Sequence, residues 1–297
     1  MILPIHELAA LGTALSWALS GLIAAEAVRA MGPFHFNLLR QIFVALLLGA
    51  TVSATGAWQG IATGTLALLA LSGVIGILMG DTLNFAGVAR LGPRRGGAVF
   101  ALNAPMAAVL GWLLLDESLP LQAWAGIALA ALGVALAVLG RPRQDAHALE
   151  TLRGAMVLGV LFGLGGALGQ AAGSLIARPM MEAGMDPYLA SMARVGASGL
   201  AMAALAATPL APAAPRAVPR RIVLMALATA ILGLLIGMTL FLFALRGAET
   251  GIVATLSASS PVLILPMLWL RTGQRPTGQS WLGAVIALAG MALIFTR

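Results

Sequence analysis

An aspartate stands inside an otherwise apolar stretch of the chain, LMGDTLNFAG at residues 78–87. Asp81 and Asn84 are three residues apart, so a helix would present both side chains on one face. A carboxylate in such a segment is costly unless it is paired or functional, and Arg40 enters another apolar stretch at a similar depth. We expect either an Asp81–Arg40 ion pair, structural or acting as a gate, or a role for Asp81 in proton coupling.

Two prolines interrupt apolar stretches at comparable places. Pro105 and Pro261 each remove a backbone hydrogen bond, which would free the carbonyls of Ala101 and Ser257. The polar residues just before these prolines are Asn103, Ser257, Ser259 and Ser260. Interrupted helices with polar groups are typical of substrate cavities at the centre of a bilayer. The alternative is a simple kink, with the hydroxyls bonded back to their own helix.

Trp17 and Gln170 lie in the middle of two further apolar stretches. We include both in the candidate substrate cavity. For Trp17 the alternative is packing against a neighbouring helix, and for Gln170 it is hydrogen bonding between helices.

The composition places all these residues in a membrane. Of the 297 residues, 60% are hydrophobic and 9% are charged, against roughly 25% charged in a soluble domain. Long, uniformly apolar runs indicate helices, because backbone groups in lipid must find partners within their own segment. We therefore predict an all-α membrane protein with ten spans. They lie near 8–28, 35–55, 63–86, 97–115, 122–139, 154–176, 188–207, 222–243, 250–270 and 279–296.

Several function classes are excluded by what the sequence lacks. There is no cysteine, and His6, His35 and His147 show no metal-ligand spacing. No nucleophile–base constellation, ATP-binding loop or dinucleotide fingerprint is present. The net charge of +7 comes from arginines scattered over short connections, not from a patch that could bind nucleic acid. We expect no enzyme activity, no metal or other cofactor and no nucleic-acid partner.

The second half of the sequence repeats the first. The matched positions, first half before second, are Pro33 and Pro187, Arg40 and Arg194, Gly76 and Gly233, Gly80 and Gly237, Arg90 and Arg246, Pro105 and Pro261, Gly126 and Gly283, and Gly133 and Gly290. We place the units at 1–140 and 154–297, joined by a linker at 141–153. Because each unit has five spans, an odd number, the second must be inverted relative to the first.

The motifs of the first unit resemble the EamA repeat of the drug/metabolite transporter superfamily. They are NAP at 103–105, DESL at 116–119, QAWAG at 122–126 and LGV at 132–134. The second unit has TGQR at 272–275 where the first has the acidic DESL, whose Asp116 and Glu117 we expect to cap the turn between spans 4 and 5. The resemblance implies two five-helix units and transport of small molecules, which in this family include amino acids, sugars, nucleotide sugars and drugs.

From this resemblance we expect a transporter that is not driven by ATP and that exports small metabolites, foremost amino acids. Substrate would occupy a central cavity between the two units and cross by alternating access. One alternative is a proton-coupled antiporter of cationic drugs, and another is a passive channel or a membrane scaffold without transport. The expected partners are a small-molecule substrate and membrane lipid, and we expect a monomer.

The arginines predict how the chain is oriented. Twelve lie in the connections between spans 1–2, 3–4, 5–6, 7–8 and 9–10, and three lie on the opposite side. Because cytoplasmic loops carry the excess of basic residues, the first set is expected in the cytoplasm. The prediction is a multi-pass protein of the bacterial inner membrane with both termini outside.

Overall fold

The structure is a computed structural model that describes residues 4–59, 61–139, 155–215, 217–272 and 277–296. Every regular element in these ranges is helical. The proposed linker at 141–153 lies outside the described residues, as does the TGQR segment except for Thr272. The predicted helical class is therefore correct.

The helices follow the ten predicted spans closely. They are α1 (Ile5–Met31), α2 (Pro33–Thr55), α3 (Thr63–Leu91), α4 (Pro93–Phe100 and Asn103–Leu114), α5 (Leu121–Leu139), α6 (Met156–Glu182), α7 (Pro187–Ala206), α8 (Arg220–Ala244), α9 (Thr250–Ser257 and Ser260–Thr272) and α10 (Gly278–Phe295). Among the described residues, seven helices are long and apolar enough to cross a membrane, and α5 and α10 are shorter apolar helices. The remaining span, α9, is divided into two helical segments.

Two tight Gly-Pro turns connect α1 to α2 and α3 to α4. Gly32 and Gly92 have φ angles of 76° and 84°, which disfavour residues with a side chain. Pro33 and Pro93 begin the next helices, where a missing backbone N–H costs nothing. Each Gly-Pro turn reverses the direction of the chain, so that α2 and α4 start beside the ends of α1 and α3.

Irregular backbone occurs at matching places in the two halves. Residues Val74–Asp81 of α3 and Ala230–Gly237 of α8 form π-helical segments. The helices α4 and α9 are each interrupted by two residues, 101–102 and 258–259. Both kinds of irregularity recur about 156 residues apart, in keeping with the repeat seen in the sequence. Because π-helical turns leave backbone carbonyls without their usual partners, the segments in α3 and α8 offer acceptors to neighbouring helices.

The two halves are interleaved, because every helix packs against a helix of the other half. Such contacts join α1 with α8, α2 with α7, α3 with α6, α4 with α9 and α5 with α10. A twofold rotation that exchanges the halves converts each of these pairs into itself or into another of them, so the architecture is that of two inverted five-helix repeats.

Glycines allow the closest of these contacts. A methyl group on Gly173 of α6 would lie 2.7 Å from the Cα atom of Gly76 in α3, and one on Gly169 would lie 2.8 Å from that of Gly80. In the other half, a methyl on Gly237 of α8 would lie 2.6 Å from the indole nitrogen of Trp17. The π-helical segments are therefore also the places where α3 and α8 pack most tightly against the opposite half.

Candidate functional site

Arg40 and Asp81 lie together in the interior. The Nη1 atom of Arg40 is 4.0 Å from Oδ2 of Asp81, and their side chains are 4% and 14% exposed. Nη2 of Arg40 donates to the carbonyl oxygen of Thr229 at 3.4 Å. The guanidinium carbon lies 5.1 Å from the ring centre of Phe36 and 4.9 Å from that of Phe85, distances at which a cation is attracted to an aromatic face.

Asp81 lies deeper than the predicted span limits indicated. The sequence suggested that span 3 ends near residue 86, whereas α3 continues to Leu91. The aspartate is therefore ten residues from the end of its helix, or about 15 Å at 1.5 Å per residue. We call Arg40, Asp81 and Thr229 the Arg40 cluster; it joins α2 and α3 of the first half to α8 of the second.

Asn84 lies one turn beyond Asp81, against α6. A methyl group on Gly166 would be 2.9 Å from the Cβ atom of Asn84, and the Asn84 side-chain oxygen has no hydrogen-bond partner among the described residues. Asn37, which the sequence reading did not single out, donates to the carbonyl oxygen of Ile77 at 3.1 Å and to the hydroxyl of Thr82 at 3.0 Å. It therefore attaches α2 to the π-helical segment that contains Asp81.

Trp17 belongs to a row of side chains on α1 that donate to backbone carbonyls of α8. Its indole N–H donates to the carbonyl of Gly233 at 3.1 Å, and its ring stacks on Phe241 with centroids 5.6 Å apart. Thr13, Ser16 and Ser20 donate in the same way to carbonyls of α8. The geometry matches the alternative considered for Trp17, packing between helices. Gln170 is 2% exposed at the crossing of α6 with α3, and within the described part of the chain its amide nitrogen has no hydrogen-bond partner.

The residues before the two prolines bond mainly to their own helices. Ser259 and Ser260 donate to the carbonyls of Leu256 and Ser257 at 2.6 and 2.8 Å. The amide of Asn103 donates to the carbonyl of Phe100 at 2.7 Å. Ser257 alone reaches another helix, donating to the carbonyl of Ala10 in α1 at 3.3 Å.

The carbonyls that the prolines were expected to free are occupied. The oxygen of Ala101 accepts from the backbone N–H of Ala104 at 3.2 Å, and that of Ser257 accepts the Ser260 hydroxyl. This prediction was wrong, because the chain tightens into a turn before each proline and supplies a local donor. Pro105 and Pro261 both lie within the helical segment that follows the break, and the side chain of Pro261 is outside the described part of the chain.

A small cavity lies where the breaks in α4 and α9 face α5 and α10. Its volume is about 10 Å³, and Ala101, Ala104, Thr255 and Ser259 are among the residues that line it. A space of that size holds at most about one water molecule. The structure is thus closed at the broken helices, and any substrate would require the halves to separate there.

A second polar cluster, which the sequence reading interpreted differently, lies at the opposite end of the molecule. The carboxylate of Glu117 is 3.3 Å from Nε of Arg178, and both side chains are 8% exposed. Glu117 also accepts hydrogen bonds from the backbone N–H of Thr250 at 3.0 Å and from its hydroxyl at 2.7 Å. Arg178 donates in turn to the carbonyl of Leu245. We call Glu117, Arg178 and Thr250 the Glu117 cluster.

From the sequence, Glu117 and its neighbour Asp116 were expected to cap the turn between α4 and α5. Glu117 instead binds the first turn of α9, where a carboxylate satisfies free N–H groups. Because consecutive helices run in opposite directions, the connection that contains Glu117 and the α1–α2 connection before Arg40 are on opposite sides. The two clusters therefore join the halves at opposite ends.

The sequence comparisons agree with this architecture. Residues 5–139 and 157–296 each match the EamA-like transporter family, so the chain belongs to this family. One solved structure, described only as the crystal structure of a protein, has a similar fold. Its TM-score is 0.76 at 17% identity, over 98% of this chain and 96% of that one. A comparison with curated proteins found no match.

Membership in this family defines the class of protein. It indicates a multi-pass membrane protein that carries small molecules by secondary transport, and not an enzyme. The likeness to the solved structure, at 17% identity, supports the fold alone.

Proposed function

We propose that this protein exports small metabolites, foremost amino acids, across the bacterial inner membrane by alternating access between its two halves. The observation that carries the proposal is the pair of polar clusters at opposite ends of the molecule. The Arg40 cluster holds α2 and α3 against α8, and the Glu117 cluster holds α6 and α9 against the α4–α5 connection. Both cross between the halves. Opening one while the other stays closed is what alternating access requires.

The choice of amino acids rests on the family and on the polarity of the interior. Amides, hydroxyls and arginines lie between the halves, among them Gln170, Asn103 and Arg194. Such groups suit a small zwitterion better than a large apolar drug, which is usually held by aromatic surfaces. The interior offers little of that surface, because aromatic residues are 5% of the chain.

Proton-coupled antiport of cationic drugs is the alternative within transport. It would require a carboxylate available to the drug and the proton in turn. Asp81 is the deepest acid in the described spans, but it lies 4.0 Å from Arg40 and also within electrostatic range of Arg194. Because two arginines already lie near this carboxylate, it is a poor binding site for a cationic drug. A role of Asp81 as the ion-pair partner of Arg40 is therefore favoured.

Flux measurements in liposomes test the proposal. Purified protein would be reconstituted and uptake of labelled amino acids measured, with and without a pH gradient, beside Asp81→Asn. Saturable counterflow that does not depend on the gradient is the expected result, and it identifies a facilitative carrier. Gradient-driven flux lost in Asp81→Asn, with counterflow kept, would instead make Asp81 the proton site. A passive channel would show no saturation, and no flux of any amino acid would refute the substrate class.

The proposed orientation has its own test. The chain lacks cysteine, so single cysteines can be introduced without background. Gln59, between α2 and α3, and Gln279, at the start of α10, are both exposed and lie on opposite sides. With both termini outside, a thiol reagent that cannot cross the membrane should label Gln59→Cys in intact cells and Gln279→Cys only after lysis. The reverse pattern would place the termini in the cytoplasm.

A further inference from the structure

Arg194 is a fully buried cation without a hydrogen-bond partner. It lies in α7, its exposed fraction is 0%, and none of its three side-chain nitrogen atoms has a partner in the described structure. A methyl group on Gly76 would be 3.1 Å from its Nη2 atom, so the guanidinium lies against the π-helical segment of α3. An uncompensated guanidinium costs several kcal/mol in such a place, so a fixed charge here demands an explanation.

Arg40 is the counterpart of Arg194 in the first half, and the two share one contact but differ in their partners. Arg40 donates to the carbonyl of Thr229 and lies near the rings of Phe36 and Phe85. A methyl on Gly233 would be 2.7 Å from Nη2 of Arg40, the mirror of the contact between Gly76 and Arg194. Arg40, however, is paired with Asp81. The positions in the second half that correspond to Asp81 are Gly237 and Met238, which have no charge. The arginine is thus present in both repeats, whereas the aspartate is present only in the first.

In the described part of the chain, the charges around these two arginines therefore do not balance. Arg40 and Arg194 contribute two positive charges, and Asp81, the acid within range of both, contributes one negative charge. A monoanion such as a carboxylate would neutralise this one excess positive charge. A phosphate dianion would leave one negative charge without a counterion. At the neighbouring crossing of α3 and α6, the amide nitrogen of Gln170 is a further buried donor without a partner.

Arg194 lies closer to the side of the molecule that carries the Glu117 cluster. It is seven residues from Pro187, where α7 begins, or about 10 Å along the helix. The α6–α7 connection before Pro187 lies on the same side as Glu117. A substrate that enters from this side, while the Arg40 cluster keeps the other side closed, would therefore have the shorter path to Arg194.

We propose that Arg194 binds the carboxylate of the transported substrate, as the missing counterion of the second half. The inference rests on the proposed transport function and names the chemical group that the site recognises. Carboxylate and guanidinium form paired, charge-assisted hydrogen bonds, which are among the stronger polar interactions in proteins. The positive charge of Arg194 would then be compensated while a substrate carboxylate is bound and uncompensated when the site is empty.

The experiment compares three probes that share one side chain. Leucine carries both charged groups, 4-methylpentanoate lacks the ammonium group, and 3-methylbutylamine lacks the carboxylate. Each would be tested for its shift of the Tm of purified protein and for inhibition of labelled leucine counterflow. Leucine and 4-methylpentanoate should raise the Tm and compete, and the amine should do neither. The inference fails if the amine alone competes, or if chloride or phosphate produces the same shift.

Arg194→Gln is the decisive variant, with Arg221→Gln as control. Arg221 loses the same charge, but its side chain is 71% exposed and its ion pair with Glu26 is on the surface. Without substrate, Arg194→Gln should unfold at the same Tm as the original protein or a higher one, because it removes an uncompensated buried charge. Its half-saturation concentration for leucine or 4-methylpentanoate should rise about 10- to 100-fold, the range for losing charge-assisted hydrogen bonds. Arg194→Lys should keep part of the affinity, and Arg221→Gln should match the original protein.

The outcomes separate this inference from the proposed function. Binding of 4-methylpentanoate that depends on Arg194, without leucine flux, would support the carboxylate site and refute amino-acid transport. Leucine flux with the same half-saturation concentration in Arg194→Gln would support the transporter and refute the site. A markedly lower Tm of substrate-free Arg194→Gln would also refute it, because that result indicates a structural arginine.

Discussion

At the scale of single residues, Asp81 is the ion-pair partner of Arg40 and also acts on Arg194 at longer range. Asp81→Asn would leave Arg40 unpaired in the interior and would remove the negative charge that Arg194 also feels. Because breaking a buried pair leaves an uncompensated charge, the free energy of unfolding should fall by about 3–5 kcal/mol. The double variant Arg40→Gln/Asp81→Asn should be less destabilised, since it removes one of the uncompensated cations. Thermal unfolding of the purified proteins would show this order, and a double variant less stable than Asp81→Asn would contradict it.

How far single residues could be predicted depended on whether the sequence shows their partners. Asp81 and Arg40 stood out because each is charged within an apolar stretch, and the structure places them together. Glu117 was assigned to its own turn, because its partner Thr250 is 133 residues away in the chain. Arg194 was noticed only as the repeat of Arg40. Its lack of a carboxylate becomes apparent when the two inverted halves are compared in three dimensions.

At the scale of the helices, the Glu117 cluster should act as a releasable contact. Glu117→Gln keeps the size of the side chain but removes the charge that pairs with Arg178 and weakens acceptance from Thr250. The start of α9 should then separate more often from the α4–α5 connection. Ala248, 1% exposed beside Thr250, can report this as a single cysteine. We expect a maleimide to modify Ala248→Cys several-fold faster in the Glu117→Gln background.

The control for this measurement is Asp116→Asn. Asp116 is the neighbouring acid and is exposed, so its neutralisation should leave the labelling rate unchanged. Equal rates in Glu117→Gln and the original protein would mean that the cluster is a permanent cap of α9 and not a gate.

The helix crossing between α3 and α6 gives a prediction with a matched control. Gly173→Ala would place a methyl 2.7 Å from the Cα atom of Gly76, so two backbones would have to move apart. The expected loss in free energy of unfolding is about 1–3 kcal/mol, as for other overpacked interiors. Gly49→Ala in α2 meets nothing within 4 Å and should instead stabilise by up to about 1 kcal/mol, because alanine favours helix over glycine. Similar Tm values for the two variants would refute the tight crossing.

The helices were more predictable than their irregularities. Apolar runs bounded by glycine, proline and arginine gave all ten spans. The clearest errors are the ends of α3 and α6, which continue five and six residues beyond the predicted ends at 86 and 176. The π-helical segments at Val74–Asp81 and Ala230–Gly237 were missed. Their sequences are apolar and helical like their neighbours. Their carbonyls accept hydrogen bonds from other helices, from Ser16 and Trp17 of α1 in the α8 segment and from Asn37 of α2 in the α3 segment.

At the scale of the whole molecule, the interleaving of the halves means that neither can bury its surfaces alone. The helix α5 packs chiefly on α10, and α3 packs on α6. Co-expression of residues 1–146 with residues 147–297 should therefore yield a complex that purifies together and keeps counterflow. Each half expressed by itself should be degraded or aggregate, because its small-residue faces would lack their partner.

Correct insertion of each half should not depend on the other. In the fragment 1–146, every arginine outside the spans lies in the connections on the side predicted to be cytoplasmic. The fragment 147–297 has six arginines on that side against three on the other. Orientation follows such local bias, so the halves should insert with opposite topology even when cut apart. Immunoblots of membranes and affinity purification through a tag on one half would measure the outcome. If the first half by itself were monomeric, stable and resistant to protease, the repeats would be independent domains. The contacts between the halves would then contribute less to stability than the contacts within each half.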